Sequence, residues 1–431
     1  MKLLRRNLFH LSDIPRDLDS VTTIDHKAEV DPREVGLLES DVEAIWDNIL
    51  RVYRTGVHPA ITINIRHRGK VLMSRAIGHV RGNGPHDSPD SEKVLATPES
   101  PMCLYSTSKG ITALLMHMLQ EEGLINVSDP VAFYAPEFAR KGKDNITIHQ
   151  ILAHRGGIPG LPKDAPIETL WDEDQTWELL CDAEPIVTDG SKLAYHAITG
   201  GFVLERVVRK VTGDNINAYI TRKIREPMGM KYFSYGIEPQ YRDDLALTYA
   251  TGPRPGPLLS RFIKRALGTD IETLEEVCND PRFQDAIIPA GNLAGTAEEA
   301  SRFFQMMLNG GRWGRRRICS ATTVARAIQE FGTRTLDRTL FLPMRFSAGL
   351  MLGDEPVGVW GPHTRYAYGH IGLINKFAWA DPQRDLSAAI LTSGIPVIAH
   401  HLGPMIGTLR TVANTFPILD KDPAPFTLQL G

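Results

Sequence analysis

The sequence predicts an α+β protein in which an antiparallel sheet is flanked by helices and an all-helical lobe is inserted. Three observations carry this. Residues 60–77 read as a β-hairpin, because two alternating, β-branched runs flank the turn His67-Arg68-Gly69-Lys70. Residues 346–392 read as turn-connected strands, which pair antiparallel. Between them, helical patterns broken by loops fill about 126–284, and no strand-like run is evident until about residue 287. With 431 residues the chain can bury a core in each of two lobes. The expected division is 38–125 plus 285–431 for the α/β lobe, 126–284 for the helical lobe, and 1–37 for an extended N-terminal arm.

Taken in order, apolar residues at Val42, Ile45, Trp46, Ile49, Leu50 and Tyr53 give 39–53 one helical face. After the hairpin, Gly78, Gly82 and Gly84 resemble a fragment of a phosphate loop, but Pro85 intervenes and no helix follows, so they mark a turn. A helix is expected from near Ser106, with Ile111, Leu114, Leu115, Met118 and Leu119 at helical spacing. Thr147 caps a short helix that His154-Arg155-Gly156-Gly157 stops. Further helices are expected over 171–181, 199–211 and 216–224, the last ending at Pro227-Met228-Gly229. Residues 258–267 place Leu258, Leu259, Phe262, Ile263, Ala266 and Leu267 on one face and Arg261, Lys264 and Arg265 on the other. A surface helix packed on the core accounts for that pattern, and a lid or a membrane-surface contact is the sharper alternative. A helix over 297–308, strands over 346–352, 368–374, 376–380 and 386–392, and a last helix over 402–416 complete the chain.

Composition excludes some functions. The formal net charge of −3, with 23% charged residues, gives nucleic acid nothing to bind, and the arginines around Trp313 read as a solvated loop. The basic start lacks an apolar run long enough for a signal peptide, and no 18-residue apolar span occurs, so a cytoplasmic protein without a transmembrane segment is expected. Cys103, Cys181, Cys278 and Cys319 are widely spaced, which fits neither a disulfide framework nor a zinc ribbon. Cys103 is read as a small core residue. The histidines form no helix-spaced ligand set, so no metal and no cofactor are expected.

Chemistry concentrates at Leu104-Tyr105-Ser106-Thr107-Ser108-Lys109. On the first turn of a helix, residues three apart share a face, so Lys109 can reach the Ser106 hydroxyl. A serine needs a neighbour that takes its proton, and lysine serves only when burial or a helix dipole keeps it uncharged. Such a Ser-x-x-Lys arises by chance about once in a chain of this length, so it needs company. Tyr195, in Leu193-Ala194-Tyr195-His196-Ala197, lies at the mouth of a helix in the helical lobe, and His370-Ile371-Gly372 lies in a strand of the other lobe.

Together these residues resemble the three-motif arrangement of serine β-lactamases and penicillin-binding proteins. The match is closer to class C β-lactamases and to the family VIII carboxylesterases that share their β-lactamase-like fold, where the second motif starts with tyrosine and the third may read His-x-Gly. Order and spacing agree over roughly 38–415, and 151–157, Glu226-Pro227-Met228-Gly229-Met230 and 291–296 also look like the family. The resemblance implies an acyl-enzyme on Ser106, with Lys109 and Tyr195 sharing the proton traffic. Tyr195 is the expected general base or relay, its phenol made more acidic by nearby positive charge. It further implies an oxyanion held by the N–H groups of Ser106 and Leu373, with Gly372 admitting close approach.

Two departures bear on substrate. Ala197 stands where the β-lactamase pattern has an asparagine, so the amide that would bond a β-lactam side chain is missing. His370 replaces a lysine that attracts the β-lactam carboxylate. Both favour a neutral small-molecule ester, and hence a serine carboxylesterase. An acyltransferase, a weak β-lactamase or a D-amino-acid peptidase on the same site are alternatives. A non-catalytic binding protein that keeps the fold is the alternative from a different class, and the intact Ser106, Lys109 and Tyr195 set speaks against it.

Overall fold

The computed structural model describes residues 9–162, 165–256, 260, 270–373 and 375–419. The amphipathic stretch 258–267 lies outside these residues apart from Ser260, which is helical. In chain order, the elements that build the site's frame begin with strand β1 (Thr22–Ile24), helix α1 (Glu39–Arg54), β2 (Ala60–His67), β3 (Lys70–Arg81) and β4 (Val94–Leu95). Then come β5 (Met102–Cys103), α2 (Ser108–Glu121), α3 (Ile148–Leu152), α4 (Glu173–Asp182), α5 (Thr199–Thr212) and β6 (Ser234–Tyr235). Helix α6 (Ile271–Asn279), β7 (Leu293–Gly295), α7 (Ala297–Leu308), β8 (Met351–Leu352), β9 (Tyr368–Gly372), β10 (Lys376–Asp381), β11 (Leu386–Thr392) and α8 (Leu402–Thr415) follow.

One antiparallel sheet runs β1-β3-β2-β11-β10-β9-β8, with β4 added to the end of β3. An early and a late strand meet at its centre, where β2 pairs with β11 in the register Ile63↔Ile390. The β2–β3 hairpin closes through Arg68 and Gly69, both at positive φ (52° and 77°), the conformation that matches the strands' own twist. Thr22–Ile24, within the stretch read as an extended arm, adds the edge strand beside β3.

Every residue of β2 is buried, so both of its faces are covered. Strand alternation splits them. Ile61, Ile63 and Ile65 join the apolar cluster that includes Ile45, Ile49 and Val52 of α1 and Met405, Leu409 and Val412 of α8. Asn64 and Arg66 face α7 instead. There Ser301 Oγ donates to Asn64 Oδ1 at 2.6 Å, and Arg66 pairs with Glu298. The same alternation sends Phe377 and Trp379 toward the α1–α8 layer, and Ala378 and Ala380 into the cluster that holds Phe303, Phe304, Met306 and Met307. Alanine on that face lets a helix with large side chains lie close to the sheet.

The segment expected to be all-helical carries α3, α4, α5 and α6, and also one short strand, β6. Strand β6 pairs with β7, and β7 with β5, in a small antiparallel ribbon. Two residues give too little alternation to be read from sequence. Of the strand expected over 346–352, only Met351–Leu352 pairs with β9; Ser347 instead turns back to bond Leu350 (Ser347 N to Leu350 O, 2.9 Å). No helix among the described residues is long and apolar enough to cross a membrane.

Candidate active site

Ser106 sits at the centre of a 3-10 turn, Tyr105–Thr107, that leads directly into α2. The turn begins one residue past the small ribbon, where Leu104 N donates to Leu293 O at 2.7 Å. Tyr105 enters it at φ 47°, a left-handed conformation that costs an L-residue roughly 1–3 kcal/mol and persists only when its surroundings enforce it. The enforcement is visible. The Tyr105 hydroxyl bonds Thr248 Oγ1 at 2.5 Å, Ser108 Oγ donates to Tyr105 O at 2.5 Å and accepts from Leu293 N, and Thr107 Oγ1 donates to His370 O at 3.2 Å. Helix α2 is buried around its whole circumference from Ser108 to Leu119, so the Ser106 turn stands on a fully buried helix.

One turn along, Lys109 Nζ lies 3.0 Å from Ser106 Oγ, 2.6 Å from Ala197 O and 2.8 Å from Ala290 O. Burial holds this ammonium well below its ordinary pKa. Nζ donates to all three oxygens, and a discharged amine can keep the two carbonyl bonds while its lone pair accepts from the serine hydroxyl. Ala290 had no signal in the sequence, because it contributes only a backbone carbonyl.

Tyr195 arrives just before α5. Its ring centre is 4.9 Å from Lys109 Nζ, and its hydroxyl makes a side-chain hydrogen bond with Ser106. Burial raises its pKa, the serine hydrogen bond lowers it by less, and nearby Asp337 raises it further. The phenol is therefore less acidic than usual, opposite to the expectation from nearby positive charge, because burial raises it by more than the Ser106 hydrogen bond lowers it. A bed of aromatic rings fixes the tyrosine: His154 at 4.5 Å, His370 at 6.1 Å and Phe346 at 6.4 Å between centres.

Its backbone is pinned as well. The Asp337 carboxylate accepts from the N–H of Tyr195 (3.2 Å), Thr339 (2.7 Å) and Leu340 (2.9 Å). His154 Nδ1 accepts from His196 N at 3.2 Å, and His196 Nε2 accepts from Ile158 N, also at 3.2 Å. Both imidazoles are held neutral. Burial and then His196 push His154 well down, and burial followed by Lys109 pushes His196 down to about 3. The motif around His154 was visible in the sequence as a helix stop; its bond to the residue after Tyr195 spans 42 positions and was not.

Strand β9 supplies the opposite wall. His370 is fully buried, bonds Ile371 O through Nδ1 at 2.9 Å, and is lowered to about 3 by burial and then by Lys109. It is uncharged at neutral pH. At Gly372 an added Cβ would fall inside the Leu104 carbonyl oxygen and meet Thr107 Oγ1 at 3.1 Å, so glycine is what lets the strand touch the Ser106 turn. Leu373 follows at φ 34°, half-buried, where the strand leaves the sheet. Ala197 is half-buried and reaches the site through its carbonyl on Lys109. Ser106, Lys109, Tyr195, Ala197, His370 and Gly372 are thus drawn together from three parts of the chain. Cys103, near the serine in sequence, is buried with its thiol pushed up to about 11, chiefly by burial, which makes it a poor nucleophile.

The family profile described as Beta-lactamase matches residues 46–399. The chain is 28% identical over 304 residues to the Esterase/beta-lactamase LipL of Mycobacterium tuberculosis, covering 68% of this chain and 69% of that protein. It is 26% identical over 310 residues to an N-acetylmuramyl-L-alanine amidase of Bacillus subtilis, covering 67% and 66%. Among solved structures, a penicillin-binding protein homolog from Caulobacter crescentus superposes with a TM-score of 0.75 at 24% identity, covering 88% of this chain and 99% of that one. A family VIII carboxylesterase superposes at 0.73 and 24%, covering 87% and 98%.

Proposed function

The chain belongs to the beta-lactamase family, and from that premise we propose that it is a serine hydrolase that cleaves carboxylic esters through an acyl-enzyme on Ser106. The observation that carries this reading is the setting of Lys109: a buried amine, its pKa lowered by burial, anchored by two carbonyls with its Nζ 3.0 Å from the Ser106 hydroxyl. Ser106 Oγ bonds the acyl carbon, its proton passes to Lys109 Nζ, and the carbonyl pair moves onto oxygen to form an oxyanion. The N–H groups of Ser106 and Leu373 receive that charge. Collapse breaks the bond to the alkoxy oxygen, and Tyr195, a neutral phenol whose ring centre is 4.9 Å from Lys109 Nζ, relays the lysine's proton to the departing alcohol. Water then attacks the acyl-enzyme with the same groups in reverse order.

The ester preference rests on charge. His370, lowered to about 3, offers no cation to a substrate carboxylate, and Ala197 offers no side-chain amide. The test compares p-nitrophenyl butyrate with a chromogenic cephalosporin on wild type, Ser106→Ala and Tyr195→Phe. Butyrate turnover that disappears in Ser106→Ala and exceeds cephalosporin turnover in wild type is expected. Faster cephalosporin turnover, or butyrate turnover that survives Ser106→Ala, overturns the reading.

A further inference from the structure

Behind the nucleophile turn lies a second lysine. Lys376 opens β10, and its register partner across the β9–β10 connection is Gly372. Its side chain is buried, 2% exposed as a residue, and its Nζ donates to the Thr392 carbonyl while lying 4.6 Å from the centre of the Tyr105 ring. Among the described residues no carboxylate pairs with it. The titratable groups that face it are Cys103, Cys278, His58 and Tyr105. None supplies a negative charge: burial pushes the two thiols up to about 11 and about 12, lifts the Tyr105 phenol well above its usual range, and holds the His58 imidazole neutral. Burial lowers the Lys376 ammonium to about 8, so it is mostly charged at neutral pH.

A cation removed from water without an anion is costly unless an anion arrives. The place where one arrives is adjacent. Lys376 touches the ring of Tyr105, whose carbonyl carbon carries the Ser106 N–H, and is paired with Gly372, whose carbonyl carbon carries the Leu373 N–H. We propose that Lys376 is a positioning residue for acyl transfer, setting from behind, through the Tyr105 and Gly372 peptides, the positive potential at the N–H groups that receive the oxyanion. The proposal rests on Ser106 acylation as argued above. Lys376 neither gives nor takes a proton: the Ser106 Oγ–carbon bond forms, the proton goes to Lys109, and the carbonyl electron pair moves to the oxygen that the lysine's charge favours. Stabilisation of this kind acts on the transition state, where the charge exists, and leaves ground-state ester binding almost untouched.

The test replaces the ammonium by an uncharged side chain of similar length, Lys376→Met, and follows p-nitrophenyl butyrate hydrolysis across pH 6–10. Expected is a kcat lower by roughly 10- to 100-fold with KM within about twofold, and disappearance of an alkaline fall in activity that the wild type shows near pH 8. A variant with wild-type kcat, or one that is slower yet keeps the alkaline fall, overturns the proposal. If Lys376→Met fails to fold, the wild-type profile decides, because activity that does not fall through pH 8 is incompatible with the role. Should wild type not hydrolyse esters at all, the ester reading fails separately; Lys376→Met is then compared with wild type in the rate at which a fluorophosphonate labels Ser106, where equal rates overturn the proposal and no labelling overturns both.

Discussion

Replacing Lys109 by methionine removes the amine while keeping the length of the chain that fills its channel. The structure gives the size of two separate effects. On stability, the Ala197 and Ala290 carbonyls lose their donor. An orphaned buried acceptor costs about 1–3 kcal/mol, and the relief of no longer burying an amine offsets part of this, leaving a net loss of about 2–4 kcal/mol. For 431 residues the unfolding entropy is about 0.9 kcal/mol per degree, so the melting temperature should drop by only about 2–4 °C. On activity, loss of the group that accepts the serine proton should lower kcat/KM by roughly 10³–10⁴-fold, or about 4–5.5 kcal/mol at the transition state. The two effects are separable in one preparation by thermal melting and p-nitrophenyl butyrate hydrolysis. The labelling of Ser106 by a fluorophosphonate isolates the first proton transfer, and it should slow more in Lys109→Met than in Tyr195→Phe, since the phenol's raised pKa unsuits it to start the reaction. A folded Lys109→Met protein with more than about a tenth of wild-type labelling would refute the assignment of Lys109 as first acceptor.

Two other outcomes follow from the same geometry. Gly372→Ala drives a methyl into the Leu104 carbonyl and Thr107 Oγ1, so β9 must back away from the nucleophile turn; kcat should fall by about 10²-fold or more, with circular dichroism unchanged, and a fully active alanine variant would show that the strand does not form the oxyanion wall. The buried histidines make the fold acid-sensitive. His196 and His370 have folded pKa values of about 3 against an ordinary 6.5, so the unfolded chain binds their protons first. Their contribution is intact above about pH 6.5 and is lost as pH falls toward 3; at pH 5 each should cost about 2 kcal/mol. Urea midpoints measured at pH 7.5 and 5 should therefore separate clearly, and identical midpoints would mean that these rings are not held neutral.

Much of the fold was legible because periodicity survives wherever an element is long. Helix α7 spans the residues that its cap Thr296 and its apolar spacing indicate, and α1 buries Val42, Ile45, Trp46, Ile49 and Tyr53 of its expected face while Leu50 is only half-buried. Strand β11 likewise matches its apolar run. Where pairing is only two residues long, as in β6 or β8, there is no period to read, and tertiary contacts alone make the strand. The candidate site was legible as residue types, which the fold brings together. The direction of the Tyr195 pKa shift was not, because it depends on how much protein surrounds the phenol and on Asp337, 142 residues away.

The sequence by itself determined which groups are present. A single Ser-x-x-Lys at a helix start, a tyrosine before a helix, a His-x-Gly in a strand, and an alanine in place of an amide are all local facts, fixed by side-chain identity and short spacing. Tertiary structure alone decided what those groups are. It set the Ala290 and Ala197 carbonyls on Lys109, the Asp337 carboxylate on the Tyr195 backbone, and the Lys376 ammonium behind Tyr105. Protonation states depend on burial and on partners up to 181 residues away in the chain, and neither is encoded in any local stretch.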